Sequence, residues 1–223
     1  MVTASPVGVD RVPVVLLTGF DPFGGDAVNP SWLAAQALDG RQIAGHRVVA
    51  ARLPTVFGLS LIVLRELLAQ HRPVLVICTG QAGGRRALSL ERVAINVNDA
   101  RIADNARAQP VDTPVIAGGP AAYFSSLPIK AMLAALEAAG IGSEVSQTAG
   151  TFVCNHVFYG LLHELATRSQ FAHVRGGLIH VPWLPEQGEP SMPLAQIAHG
   201  LELAIECALT TGTDIRKQAG ALN

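Results

Sequence analysis

Three short runs of almost continuous apolar sequence constrain the fold of this chain most strongly. Residues 12–18 read VPVVLLT, residues 73–79 read PVLVICT and residues 175–181 read RGGLIHV. A glycine or a proline follows each run at once, which is how strands commonly end. Because apolar side chains occupy successive positions, such strands are buried on both faces, which is typical of a parallel sheet between layers of helices.

Helical patterns separate these runs along the chain. Asn29 and Pro30 predict a helix start, with asparagine as the N-cap and proline in the first turn. The predicted helices span residues 30–38, 56–70, 128–139, 152–167 and 193–211, and the further strands span residues 46–53, 88–97 and 143–148. This alternation predicts an α/β fold in which a parallel or mixed sheet carries helices on both faces.

Composition narrows the classes of function. The chain shows no repeat or linker, so we predict one domain over residues 1–223, with a loosely ordered leader (1–12) and tail (213–223). The leader lacks the features of a signal peptide, and no apolar run reaches the roughly 20 residues that span a bilayer. A net charge of −1 argues against nucleic acid or acidic lipid as partners. Hydrophobic residues, at 49%, predict a large core or a surface buried by self-association.

The three cysteines of the chain are Cys78, Cys154 and Cys207, which lie far apart and form no CxxC pair. This spacing argues against a disulfide framework and a zinc site, and it favours a cytoplasmic protein with free thiols. Cys154 differs from the others because it falls in the first turn of a predicted helix. A thiol at a helix N-terminus tends to lose its proton and become nucleophilic, although a helical cysteine also commonly packs as a small hydrophobic group.

The irregular segments of the chain are predicted to share one edge of the sheet. In open α/β sheets, sites form beyond the carboxyl ends of the strands. Residues 20–25, residues 80–84, residues 150–154 and His180 all fall at that edge. We therefore expect a functional site there.

A nucleophilic cysteine needs a base within hydrogen-bond reach. Of the seven histidines, His156 lies two residues from Cys154, and side chains at that spacing on a helix point apart. His163 lies too far along the same helix. His180 ends an apolar strand at the predicted site edge, so it is the candidate base, with a structural core histidine as the alternative.

The carboxylate that would orient the base is open at this point. Glu91 lies in an apolar, strand-like segment and needs a partner there. Arg92 or a histidine would satisfy it, so a simple ion pair is the alternative role. Asp99, Asp104 and Asp112 on the long polar segment compete with Glu91, and spacing does not select among them.

Two loops suggest different ligands. Residues 80–84 are glycine-rich and precede Arg85 and Arg86, so they fit a phosphate site of a phosphorylase-like nucleoside transferase, although they match no nucleotide-binding motif. Phe20 and Phe23 lie on a loop and would form flat apolar walls for a small uncharged ring. A third reading is a non-catalytic oligomeric binding protein on the same fold.

Five motifs in register give the chain a family resemblance. They are residues 18–25 (TGFDPFGG), 80–85 (GQAGGR), 91–96 (ERVAIN), 150–155 (GTFVCN) and 180–182 (HVP). With these motifs the chain resembles the pyroglutamyl peptidase I family, also called the pyrrolidone-carboxylate peptidases, a family of cysteine peptidases. The resemblance extends from about residue 14 to the final helix.

This resemblance implies a function and a catalytic set. It implies removal of an N-terminal pyroglutamyl (5-oxoproline) residue from peptides through a thioacyl-enzyme intermediate. Cys154 would be the nucleophile, His180 its base and Glu91 the residue that orients the imidazole. The resemblance also implies a three-layer α/β/α sandwich of the phosphorylase/hydrolase type with a mostly parallel mixed sheet, no cofactor or metal, a cytoplasmic setting and a homotetramer.

The same resemblance implies the substrate pocket. Phe20 and Phe23 would flank the lactam ring, and the loop around Gln81 would hydrogen-bond its amide. Phe152 and Val153 would line the pocket beside the sulfur.

Three further positions complete the comparison with the family. By resemblance, Asn29 would support the loop that carries Phe23, and Arg101 would help to stabilise the oxyanion. Trp183 is a departure, because a smaller aromatic residue is expected after the HVP motif.

Overall fold

The computed structural model describes residues 12–220, so the predicted leader lies outside the described residues apart from residue 12, as do residues 221–223 of the predicted tail. In chain order the elements are β1 (Val14–Phe20), α1 (Pro30–Ala37), β2 (Gln42–Ile43), β3 (His46–Leu53), α2 (Leu59–His71), β4 (Leu75–Gln81), β5 (Leu88–Glu91), β6 (Val93–Ile95), β7 (Ala122–Phe124), α3 (Ile129–Ala138), β8 (Ser143–Ser146), α4 (Val153–Thr167), β9 (Arg175–Val181) and α5 (Leu194–Thr210), with a 3-10 turn at Ser169–Phe171.

A seven-stranded mixed sheet forms the centre, in the order β2-β3-β1-β4-β9-β5-β8. Strands β3, β1, β4 and β9 are parallel to one another. Strand β5 runs antiparallel to β9 and parallel to β8, and β2 is an antiparallel edge strand. Strands β6 and β7 form a separate antiparallel pair. The predicted mostly parallel mixed sheet is confirmed.

Apolar residues on both faces of the central strands create two cores. Leu17 and Ile77 belong to the core under α1, α3 and α5, whereas their neighbours Leu16 and Val76 belong to the core under α2 and α4. All four side chains are fully buried. Successive apolar residues therefore reflect burial on both faces, and the architecture is the expected three-layer α/β/α sandwich.

The predicted strand over residues 88–97 is wrong, because the segment contains two strands in different sheets. The break falls at Arg92, whose backbone N–H donates to Ser146 at 3.0 Å while its carbonyl accepts from Ser125 at 2.8 Å. Strand β5 thus ends in the main sheet, and β6 begins a hairpin with β7. The apolar positions shift there from even numbers (Leu88, Leu90) to odd numbers (Val93, Ile95), and the prediction of one strand overlooks that change of phase.

The described part of the tail packs on the body of the protein. Both carboxylate oxygens of Asp214 accept backbone N–H bonds from Lys130 and Ala131 in the first turn of α3, at 3.1 and 2.9 Å. A carboxylate at this position satisfies donors that the helix leaves unpaired. Among residues 12–220, no helix combines the length and apolar character required to cross a membrane.

Candidate active site

Cys154 is the second residue of α4 and is half-buried. The preceding turn contains Gly150 at φ 74°, a backbone conformation that favours glycine. The helix start places the sulfur against β4: a Cβ atom at Gly80 would lie 2.7 Å from Cys154 Sγ. Gly80 therefore leaves the space that the thiol occupies, and the unpaired N–H groups of the first helical turn face the same region.

His180 lies near the end of β9 with 4% of its surface exposed. Its Nδ1 atom donates to Glu91 Oε1 at 2.7 Å. The other ring nitrogen faces Gly80, because a Cβ atom at that position would lie 3.3 Å from His180 Nε2. The thiol of Cys154 and the imidazole of His180 therefore both lie against Gly80.

Glu91 ends β5 and is completely buried. Its Oε1 atom accepts both from His180 and from Arg85 Nη1, the latter also at 2.7 Å. Arg85 in turn donates to Ser146 Oγ at 3.4 Å and to the carbonyl of Thr148 at 3.1 Å. Arg85 holds the carboxylate of Glu91 beside the imidazole, so Glu91 can fix the orientation of the ring.

The structure separates Glu91 from its competitors among the acids. Asp104 binds backbone N–H groups of its own surroundings, including Phe57 at 2.9 Å and Ala108 at 2.8 Å. Asp99 lines the cavity described below, and Asp112 lies in an exposed turn at φ 47°. Besides His180, Glu91 pairs with Arg85, which lies six residues earlier and outside β5.

Opposing effects set the protonation of His180. Burial lowers the pKa of its imidazole, but the hydrogen bond and charge of Cys154 and then those of Glu91 raise it. The effects of Cys154 and Glu91 outweigh that of burial and raise the pKa of His180 to about 9. The histidine therefore carries a proton at neutral pH, which suits a group that must protonate a leaving amine.

A cavity of about 860 Å³ opens at this edge of the sheet. Its lining residues are Phe23, Gly24, Asp26, Gln81, Ala82, Gly83, Arg85, Asp99, Arg101, Ile102, Ala149, Gly150, Thr151, Phe152, Cys154, His180 and Trp183. The rings of Phe23 and Phe152 lie 5.8 Å apart and form one aromatic wall. Phe20 and Val153 are each 1% exposed and pack in the core below α2 and α4, so they back the cavity rather than line it.

A polar network that the motifs do not reveal closes one side of the cavity. Gln81 Nε2 donates to Asp26 Oδ2 at 2.7 Å. Gln187 Nε2 bridges the same pair, at 3.3 Å to Asp26 Oδ2 and 3.2 Å to Gln81 Oε1. Both ends of the Gln81 amide therefore take part in hydrogen bonds within the protein. Gln187 lies 106 residues from Gln81, which is why no local pattern indicates the contact.

Asn29 is the N-cap of α1, and Arg101 lines the cavity. Asn29 Oδ1 accepts from the backbone and hydroxyl of Ser31 at 3.0 and 2.7 Å, and its Nδ2 donates to the carbonyl of Asp21 at 3.1 Å. Asn29 thus caps α1 and fixes the loop that carries Phe23. Arg101 lines the cavity with an exposed side chain, and within residues 12–220 it forms no ion pair.

This arrangement can perform acyl transfer. Attack by a thiol with the help of an imidazole–carboxylate pair is the chemistry of cysteine peptidases, and that is the class that the fold and the site define. In the part of the chain that the structure describes, His, Cys, Asp and Glu side chains form no group of three that could hold a metal ion.

Comparisons with known proteins identify the family. The pyroglutamyl peptidase family model matches residues 13–211. The pyrrolidone-carboxylate peptidase of Cupriavidus taiwanensis is 57% identical over 217 residues, which are 95% of this chain and 100% of that protein. The enzyme of the same name from Klebsiella pneumoniae is 58% identical over 212 residues, 93% of this chain and 98% of that protein.

Solved structures agree with the family model. The crystal structure of pyroglutamyl peptidase I from Bacillus amyloliquefaciens superimposes with a TM-score of 0.90 at 48% identity, over 93% of this chain and 100% of that one. A mutant pyrrolidone carboxyl peptidase from Pyrococcus furiosus gives 0.85 at 41% identity, over 88% and 98%. The chain belongs to the pyroglutamyl peptidase family.

Family membership confirms the predicted enzyme class and fold. It does not favour the phosphorylase-like or the non-catalytic reading. The contacts of Arg85 agree, because its guanidinium is committed to Glu91 and to the segment after β8 rather than free for phosphate.

Proposed function

We propose that this chain removes N-terminal pyroglutamyl residues from peptides with Cys154 as nucleophile, His180 as proton donor and base, and Glu91 as the residue that orients the imidazole. The observation that carries the proposal is the convergence of thiol and imidazole on Gly80, with the carboxylate 2.7 Å behind the imidazole. The activity itself follows from the family, whose members are cysteine peptidases named for this substrate.

The first half-reaction forms the thioacyl-enzyme. The thiolate of Cys154 attacks the carbonyl carbon of the pyroglutamyl residue, and the carbonyl oxygen takes up the negative charge. The amide bond then breaks, the nitrogen of the leaving peptide receives a proton from His180, and a thioester remains on the sulfur. The peptide departs with a new amino terminus.

The second half-reaction restores the enzyme. Neutral His180 now accepts a proton from water, which attacks the thioester carbonyl. The carbon–sulfur bond breaks and pyroglutamic acid leaves, to lose its proton to solvent, while the thiolate of Cys154 and protonated His180 are regenerated. The backbone N–H of Cys154 and the guanidinium of Arg101 are the donors that we assign to the oxyanion in both steps. Loss of one such donor typically costs about 3 kcal/mol of transition-state stabilisation.

The pocket suits a neutral ring. Pyroglutamate has no α-ammonium group, because its nitrogen is part of a lactam. The wall of Phe23 and Phe152 offers apolar surface, and we assign the amide hydrogen bonds of the lactam to the backbone around Gln81. The carboxylate of Asp26 accepts from two side-chain amides through Oδ2, so these amides hold it at the edge of the cavity.

The remaining expectations from the sequence belong to the same proposal. We place the enzyme in the cytoplasm, where free thiols persist, and propose a homotetramer that needs no cofactor. Large apolar side chains on the surface support self-association: Phe124 is 72% exposed and Val111 is 67% exposed. Both residues lie in the segment that connects β6 to α3. We also keep the prediction of a single domain.

Hydrolysis of a fluorogenic pyroglutamyl amide tests the proposal. Wild type should release the fluorophore, and Cys154→Ala should lose activity by roughly 10⁴-fold or more, since no other group replaces the nucleophile. Cys207→Ala is the matched control and should retain activity, because Cys207 lies on α5 and contacts Thr211. An inactive wild type, or an active Cys154→Ala, would refute the assignment.

A further inference from the structure

The segment after β9 brings a large aromatic side chain to the cavity. Trp183 follows His180 by three residues, and its indole is part of the cavity lining. In the sheet, β4 lies between β1 and β9. Phe23 follows β1 and Trp183 follows β9, so the two side chains come from strands on opposite sides of β4. Since neighbouring strands are roughly 4.8 Å apart, β1 and β9 are roughly 10 Å apart.

Two glycines make room for the indole. A Cβ atom at Gly83 would lie 2.3 Å from Trp183 Cζ2, and one at Gly188 would lie 3.5 Å from its Cε3 atom. The backbone is also held, because the carbonyl of Trp183 accepts from Met192 at 2.8 Å. The indole Nε1 atom is buried and has no hydrogen-bond partner in the described part of the chain. The ring is therefore positioned by packing alone, and the surface it adds to the cavity is apolar carbon.

Chemistry decides which part of the substrate lies on this side. The nitrogen that leaves must receive its proton from His180, so it must lie next to the imidazole on β9. The acyl carbon lies at Cys154, over β4, and the lactam ring lies towards Phe23. The residue that follows pyroglutamate therefore extends beyond His180, into the part of the cavity that Trp183 bounds.

The volume of the cavity leaves room for that residue. Cavities of 300–1,000 Å³ typically hold drug-sized ligands, and this one measures about 860 Å³. A single five-membered lactam fills only a small part of it. The remaining space is continuous with the indole, with the first turn of α4 and with the loop that contains Gly83.

We propose that Trp183 is the specificity-determining wall of the leaving-group subsite and that it favours substrates with an aromatic or flat apolar side chain directly after pyroglutamate. The inference rests on the proposed function, because it needs His180 to protonate the leaving amine. Aromatic pairs contribute about 0.5–1.5 kcal/mol beyond the area they bury, which limits the selectivity to roughly tenfold.

Hydrolysis of pyroglutamyl dipeptide amides tests the subsite. The ratio of kcat/KM for the phenylalanine substrate to that for the alanine substrate should fall by roughly tenfold in Trp183→Leu and should largely persist in Trp183→Phe. Inhibition by free pyroglutamate should stay unchanged in both variants, because the lactam lies on the other side of β4. Trp32→Phe is the matched control and should keep the wild-type ratio, since Trp32 lies on α1 beside Arg52, away from the cavity.

A second readout does not depend on the fold of the Trp183 variants. The chain has two tryptophans, so Trp32→Phe leaves Trp183 as the sole indole fluorophore. Phenylalanine amide, a product of the leaving side, should change its emission at lower concentration than alanine amide. An unchanged substrate ratio in folded Trp183→Leu, weaker pyroglutamate inhibition in it, or equal effects of the two amides would overturn the inference. If wild type hydrolyses no pyroglutamyl substrate, the proposed function itself fails, and the two failures are thereby distinguished.

Discussion

His180 and His156 are both buried, both hydrogen-bonded through the ring and both close to Cys154 in sequence or space, yet their environments drive their protonation in opposite directions. The ring of His156 accepts from the backbone N–H of Gly58 at 3.0 Å and donates to Asn98 Oδ1 at 2.9 Å. Burial, and after it the positive charge of Arg65, lowers the pKa of His156 to about 4.

The neighbours explain the difference, because burial acts on both rings in the same direction. Around His156 the hydrogen-bond partners are neutral and the nearby charge is positive, so nothing offsets the loss of hydration. Around His180, Cys154 and Glu91 offset it and raise the pKa to about 9. Proximity in sequence is therefore a poor guide to a catalytic base. His156 is the nearer histidine, and its ring points to Gly58 and Asn98 instead.

His156 has a structural use that fits its neutral state. Its two hydrogen bonds connect α4 to the start of α2 and to the segment after β6. Phe57 packs edge-on against both His156 and Phe152, with ring centroids 5.4 Å apart in each case. Through these contacts His156 supports the cavity wall without touching the thiol. His180 is suited to transfer a proton, whereas His156 stabilises the contacts behind the cavity wall.

The largest expected effect separates the two histidines in catalysis. His180→Ala removes the proton donor and base, so kcat/KM for a pyroglutamyl amide should fall by roughly 10³-fold or more. His156→Gln keeps a donor and an acceptor near the same positions and should cost less than about tenfold. Steady-state kinetics on both variants, with circular dichroism to verify folding, measures the difference. Equal losses in the two variants would remove the distinction.

At acidic pH, the lowered pKa of His156 should reduce the stability of the fold. The folded-state pKa of His156, about 4, lies below the value of about 6.5 in an unfolded chain. As pH falls through this window, the unfolded state takes up a proton that the folded state refuses, so stability declines between about pH 6.5 and 4. A shift of this size corresponds to roughly 3 kcal/mol. Urea unfolding across this range should show the decline in wild type and a flatter profile in His156→Gln. Identical profiles would contradict the assignment.

At alkaline pH, deprotonation of His180 should reduce activity. The raised pKa of His180 means that its proton is present at neutral pH and is lost as pH rises through about 9. Because the protonated imidazole is the donor for the leaving amine, activity should fall by about tenfold per pH unit above that value. The stability that its charged form contributes is lost in the same direction. A pH–rate profile that stays level to pH 11, with the protein still folded, would show that this proton is not required.

The sequence predicts the three-layer sandwich because a strand that is buried on both faces appears as a run of successive apolar residues. Leu16 and Leu17 are adjacent, and each belongs to a different core. The strand break at Arg92 leaves a weaker trace, a one-residue shift in the alternation between Leu90 and Val93, which the prediction of a single strand overlooks.

Some residues of the site have a local signal in the sequence, and others have none. The helix start at Cys154 and the strand end at His180 are local features that the sequence shows. The choice of Glu91 over other acids depends on strand order: β5 runs antiparallel to β9 and pairs Ser89 with His180, which brings the end of β5 beside the imidazole. The resemblance to the family supplied that choice, and local pattern did not. The contact between Gln187 and Asp26 spans 161 residues and has no local signal either.

Affinity labelling with a chloromethyl ketone that carries a pyroglutamyl group tests the central claim most directly. Cys154 should take up one equivalent, as located by peptide mapping, and activity should fall in proportion to the label. Free pyroglutamate should slow the reaction. Cys78 should remain unlabelled, since burial raises the pKa of its thiol to about 12. A labelled Cys154 with full activity, or loss of activity with the label on Cys78 or Cys207, would contradict the account.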